Sequence, residues 1–195
     1  MFGENGNLTK LLNYSISEIL RNILEHSGSS ESWICAQKWH HQDYVEVEVV
    51  IVDYGKGIIN KIKDSYPRLK SEELFRKILS PGFTHSHYEI RSYEDEGFQN
   101  SGYGLYVVSN ICKNLNGAFK VLSNTSSYYL NSCKNNYHDL DFNFPGTAIK
   151  MKFQIPNNLD TDKLSLHIVK EGEDIVGQDK DTVNVASKRA KSLEI

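Results

Sequence analysis

An apolar run that ends in a carboxylate and then in two spaced glycines stands out in this chain: Val49-Val50-Ile51-Val52-Asp53-Tyr54-Gly55-Lys56-Gly57-Ile58. An aspartate at a strand end can accept hydrogen bonds from an exocyclic amine, and glycines beside it keep a slot open for a flat ring. A second glycine turn, Gly102-Tyr103-Gly104, opens a segment of helical spacing. Bare N–H groups and the positive end of a helix dipole suit phosphate there. Upstream, Asn22 offers a neutral oxygen, suited to one position on a magnesium ion already held by phosphates. Glu18, one turn earlier, could orient or deprotonate a water or a substrate hydroxyl. Thr147 could add a hydroxyl to the hydrogen bonds around Asp53.

These groups need elements to hold them. The spacing of Leu12, Ile16, Ile19, Leu20 and Ile23 predicts a helix over Leu11 to Ser27. Ser15, Glu18, Asn22, Glu25 and His26 fall on another face of it. A solvated face is the plain alternative for that stripe, but it carries acids, an amide and a histidine instead of Lys or Arg. Ser32 to Trp39 and Tyr44 to Val52 read as strands around a turn at His40 to Asp43. The second strand alternates and then becomes continuously apolar, which predicts that both of its faces are covered at the end. Short helices are expected at Ile58 to Asp64 and Ser71 to Leu79, the latter capped by Ser71. Ser80 to Ser101 has no periodicity and reads as a lid, with His85 and His87 as lid residues and not metal ligands. A helix over Gly102 to Leu115, a strand from Ala118 and a half-buried strand around Ile149 to Ile155 follow, with Asn124 to Phe144 as a hairpin or loop. The polar residues after Pro156 read as a linker or loose tail, with a further strand at Leu164 to Val169. The expected domains are 1–156 and an extension or linker, 157–195.

Composition narrows the classes. The chain has 195 residues, 39% of them hydrophobic, and a net charge of −3 without a basic tract, so nucleic acid is not an expected partner. Three cysteines without CxxC spacing suggest reduced thiols of a cytoplasmic protein. No signal-peptide pattern is present, and no apolar run approaches the roughly 18 residues of a membrane helix. There is no GxxxxGK[ST], and the turn after Asp53 opens no long helix of the dinucleotide-binding kind.

Five segments in order resemble a known family. Glu18-Ile-Leu-Arg-Asn22-Ile-Leu-Glu-His26, Asp53-Tyr-Gly55-Lys-Gly57-Ile58, Pro81-Gly82-Phe83-Thr84, Gly102-Tyr103-Gly104-Leu105 and Gly146-Thr147 are similar to the N box, first glycine box, phenylalanine box, second glycine box and late Gly-Thr pair of histidine-kinase-like (GHKL, Bergerat-fold) ATPases. That superfamily includes sensor-kinase catalytic domains, type II topoisomerase ATPases and anti-sigma-factor kinases. The resemblance covers about Leu11 to Pro156. It implies an α/β two-layer sandwich, with helices on one face of a mixed, mostly antiparallel sheet and ATP between the helices and the lid. By the same resemblance Asp53 holds the adenine amine, Thr147 supports a water network at the base, Asn22 ligates Mg²⁺, and Gly102 and Gly104 face phosphates. His26, Gly55, Gly57, Ile58, Thr84, Tyr103 and Leu105 complete the implied nucleotide site, with Glu18 as the catalytic residue.

The chain also departs from the family. His85-Ser86-His87 stands where kinase relatives often carry a lysine, so phosphate charge would fall to Arg91 or to backbone. The short stretch before Leu11 carries no phosphoacceptor helix, and a stand-alone domain is the expectation. Three readings follow: an ATPase or protein kinase acting in signalling or regulation, a non-catalytic nucleotide-gated interaction module, or a decayed site whose glycines serve only turns. The first two expect ATP, a protein substrate or regulatory partner, and a homodimer as an option.

Overall fold

The computed structural model describes residues 6–83, 102–177 and 186–193. Helix α1 spans Gly6–His26 and begins a turn and a half before its predicted start, because Leu8 continues the buried stripe of Leu11, Leu12, Ile19 and Ile23. Strands β1 (Ser32–His40) and β2 (Tyr44–Asp53) form a hairpin. Helices α2 (Ile58–Ser65) and α3 (Ser71–Ile78) follow. Ser71 is the first residue of α3 and not its cap. The Glu73 carboxylate reaches back to accept from the Lys70 N–H at 2.8 Å, which satisfies a donor at the helix start without a serine.

Helix α4 (Gly104–Asn114) leads into β3 (Ala118–Asn131) and β4 (Asn135–Pro156), one long hairpin. The sheet order is β1-β2-β4-β3, and every pairing among the described residues is antiparallel. Helices cover one face. Val45, Val47, Val49 and Ile51 of β2 are buried there beside Ile149, Met151, Phe153 and Ile155 of β4 and Phe119 and Val121 of β3. The other face carries ion pairs, Lys150 to Glu48 at 2.7 Å and Lys152 to Glu46 at 2.8 Å. The expectation that both faces are covered at the end of β2 is not met. Val50 and Val52 lie on the open face and are only half-buried, shielded by cross-strand neighbours such as Ala148 in place of a second layer.

The far end of the β3–β4 hairpin turns onto α3, where Tyr128 stacks on Phe75 with ring centroids 5.6 Å apart. Phe142 is exposed. The three cysteines are unpaired. No helix among the described residues is long and apolar enough to cross a membrane.

The strand expected at Leu164 to Val169 is a helix, α5 (Thr161–Gly177). Its buried residues Ser165, Ile168, Val169, Gly172 and Val176 recur at spacings of three and four, a stripe that the short apolar run concealed. Gly172 admits the rings of α4: a Cβ there would lie 2.7 Å from Tyr106 Cε1 and 3.0 Å from Tyr103 Cε1. This part of the tail is therefore packed on the core and is not loose. A short helix, α6 (Lys188–Ser192), follows, with the Lys191 carbonyl accepting from Ser165 Oγ at 2.7 Å.

Candidate functional site

The end of β2 and the end of the α1 helix meet at one cleft. Its inner compartment is lined by Ile19, Asn22, Ile23, His26, Ser27, Ile51, Asp53, Ile58, Leu105, Thr147 and Ile149. An outer compartment shares Asn22, His26, Ile58 and Leu105 and adds Lys61, Ile62, Ile78, Phe83, Gly102 and Gly104. The inner part is an apolar slot with few polar groups, as a flat heterocycle requires. The outer part carries the polar and glycine groups.

Asp53 is 1% exposed, at the last position of β2 and opposite Thr147 of β4. Its Oδ1 accepts from the Gly55 N–H at 2.8 Å. Burial holds its carboxyl above the ordinary value, and the backbone N–H groups of Gly55 and Thr147 oppose that shift. Thr147 Oγ1 accepts from the Ile58 N–H at 3.0 Å, which leaves its own hydrogen to donate elsewhere. The glycines after Asp53 act differently from expectation. The space beside them is filled by protein: a Cβ at Gly55 would lie 2.2 Å from the Ser27 carbonyl oxygen, and one at Gly57 2.4 Å from Asn124 Oδ1. With φ +79°, Gly57 also has a backbone that other residues rarely adopt. What the glycines allow is close approach of this turn to α1 and β3. The Ser27 carbonyl accepts from the Lys56 N–H at 2.9 Å, and Asn124 Oδ1 accepts from the Asn60 N–H at 3.3 Å. Ser123 Oγ donates to the Gly146 carbonyl at 3.1 Å, tying the turn to Thr147.

Most of the polar stripe of α1 is not a solvent face. Ser15 and Glu18 are buried, Asn22 and His26 half-buried, and Glu25 alone is exposed. Asn22 Nδ2 donates to the Glu18 carbonyl at 2.8 Å, which leaves its side-chain oxygen for a ligand in the cleft. Glu18 is 2% exposed and lines neither compartment. Its Oε2 pairs with Arg21 and packs on the start of α4, where a Cβ at Gly104 would lie 2.1 Å away. Gly102, with φ +73°, packs against the backbone of Gly82 and Phe83. Tyr103 does not turn its ring to the cleft. The side chain is fully buried, edge-on to Tyr106 under α5, so its backbone alone is available to a ligand in the cleft. Thr84, His85, His87 and Arg91 lie outside the described residues.

Lys61, Ser27, Ser123 and Asn124 went unnoticed in the sequence. Only Lys56-Gly57-Ile58, with its glycine at a helix start, hinted that neighbouring groups must converge on that turn.

The residues present suit an adenine nucleotide: an apolar slot, a buried carboxylate at its end and glycines at the phosphate end. They suit Mg²⁺ only in part, through the Asn22 oxygen, and no group of three His, Cys, Asp or Glu side chains among the described residues could hold a metal ion unaided.

The fold and cleft are those of an ATP-binding α/β sandwich. Residues 8–157 match the histidine kinase-, DNA gyrase B- and HSP90-like ATPase family, and the chain belongs to it. No curated protein matches the chain well enough to count as a relative.

Proposed function

We propose that this domain binds ATP with Mg²⁺ and turns it over, either hydrolysing it or passing its γ-phosphate to a protein, in a cytoplasmic signalling or regulatory role. The observation that carries this reading is the convergence of Asp53, Thr147, Asn22, Gly102 and Gly104 on one cleft from four separate parts of the chain. Asp53 accepts from the adenine amine. Asn22 would hold Mg²⁺ through its side-chain oxygen, as one neutral ligand beside the nucleotide's phosphates. When bound, Mg-ATP supplies an electrophilic terminal phosphorus and a divalent charge that offsets the phosphates. Glu18, packed against the first residue of α4, takes a proton from a water or a substrate hydroxyl on this reading, once it is released from Arg21.

A second reading has an observation of its own. Glu18 is clamped by Arg21 and does not line the cleft. That favours a nucleotide-gated module in which ATP orders a binding surface for a protein partner or a second copy without chemistry. Titration with a non-hydrolysable ATP analogue, with and without Mg²⁺, followed by phosphate release on ATP, separates the two. Binding with turnover that Glu18→Gln abolishes supports the first. Binding with no turnover in the wild type overturns it in favour of the second.

A further inference from the structure

The phosphate end of the cleft needs positive charge, and the expected position for a lysine holds His85-Ser86-His87 instead. Among the described residues, Lys61 is the one ammonium or guanidinium that lines the cleft. It reaches the outer compartment from the first turn of α2, whose start is fixed by the Gly57 carbonyl accepting from the Lys61 N–H at 3.1 Å. Its neighbours there are Asn22, Gly102 and Gly104. Arg21, the nearby guanidinium of α1, is committed to Glu18 and lines neither compartment.

Lys61 is also aimed. Its Nζ lies 3.0 Å from His26 Nδ1. An ammonium only donates, so Nδ1 accepts and the neutral ring carries its proton on Nε2. That nitrogen faces the Glu25 carboxylate at 3.6 Å. A carboxylate, an imidazole and an ammonium thus form a row that ends in the cleft. Burial, and the charge of Lys56, lower the Lys61 pKa, while Glu25 opposes the change.

We propose, on the reading of the cleft as an adenine-nucleotide site, that Lys61 is a phosphate-binding cation of this domain, positioned by His26 and Glu25, and that it gives the site its preference for polyphosphate over nucleoside. A compact ammonium on a flexible stem suits this task as a point charge shared among phosphate oxygens.

The test is calorimetric titration of wild type, Lys61→Met, Lys61→Gln and Lys61→Arg with three probes: adenosine, inorganic tripolyphosphate, and a non-hydrolysable ATP analogue with Mg²⁺. Melting curves establish that each variant is folded. Charge-assisted hydrogen bonds of the size expected here correspond to a loss of roughly tenfold to a hundredfold in analogue affinity for Lys61→Met and Lys61→Gln. Tripolyphosphate binding falls in parallel, adenosine binding is unchanged, and Lys61→Arg retains most of the affinity. Equal weakening of adenosine and analogue assigns Lys61 a structural role and overturns the proposal, as does an unchanged analogue affinity. Lys61-dependent tripolyphosphate binding without any adenosine binding upholds the Lys61 assignment and overturns the adenine reading instead. A wild type that binds none of the probes overturns both.

Discussion

Glu18 Oε2 lies 2.1 Å from where a Cβ at Gly104 would sit. The carboxylate and the first residue of α4 therefore share one space, and position 104 tolerates no side chain while Glu18 stays in place. Gly104→Ala should destabilise the fold by about 1–3 kcal/mol, the usual cost of overpacking. In the Glu18→Ala background the same change should cost much less, because the clashing oxygen is gone. Denaturant melts of the two single variants and the double variant measure that coupling. Additive losses would mean that the two residues do not compete.

Glu18 and Arg21 form a pair with one member almost fully buried. Arg21→Met leaves a buried carboxylate without its guanidinium, and a loss of about 3 kcal/mol is expected for breaking a buried pair. Glu18→Gln with Arg21→Met should recover part of it. If Arg21 also restrains Glu18 from chemistry, the single Arg21 variant keeps nucleotide affinity while its phosphate-release rate changes.

Asp53 gives a pH dependence of unusual sign. Its folded pKa is raised by burial, so its contribution to stability is fully present below the ordinary carboxylate value and is lost as pH rises through the folded value. On the proposed reading binding runs the other way, because the ionised carboxylate would be the acceptor for an exocyclic amine. Adenosine affinity should fall as pH drops through that raised value. Asp53→Asn should bind more weakly and lack this pH step, which titration with adenosine across the acid range would reveal.

On the proposed reading, the Asn22 oxygen is the metal-directed group of the cleft. Removing Mg²⁺ with a chelator should weaken binding of the ATP analogue by about tenfold in the wild type, equivalent to about 1.4 kcal/mol. Asn22→Ala should start from the weaker value and respond little to the chelator. A full response in that variant would place the metal elsewhere.

Gly172 ties α5 to the second glycine turn through Tyr103 and Tyr106. Gly172→Val should lower stability by about 1–3 kcal/mol through overpacking. It should also weaken nucleotide binding, because Tyr103 stands between Gly102 and Gly104. Unchanged melting and affinity would make residues 157–177 an appendage and not part of the folded unit.

Local chemistry determined much of this protein before any coordinates. The period of three and four in Leu11 to Ser27, the apolar run into Asp53 and the alternation of Ile149 to Ile155 placed the main elements in order, because each pattern is set by neighbours within one helix or strand. The same residues located Asp53, Asn22, Thr147 and the second glycine turn, which do converge on the cleft, whereas Gly55 and Gly57 line neither compartment. Only the tertiary structure decided what each group faces. It filled the space beside Gly55 and Gly57 with Ser27 and Asn124, turned Tyr103 into the α4–α5 interface, buried Glu18 against Gly104 and brought Lys61 to His26. Each of those contacts joins residues far apart in the chain, and no periodicity within a window encodes them. The tail was misread for the same reason. The helical stripe of α5 is short of large apolar residues, and the Tyr103 and Tyr106 rings that make Gly172 part of a core lie some sixty residues earlier.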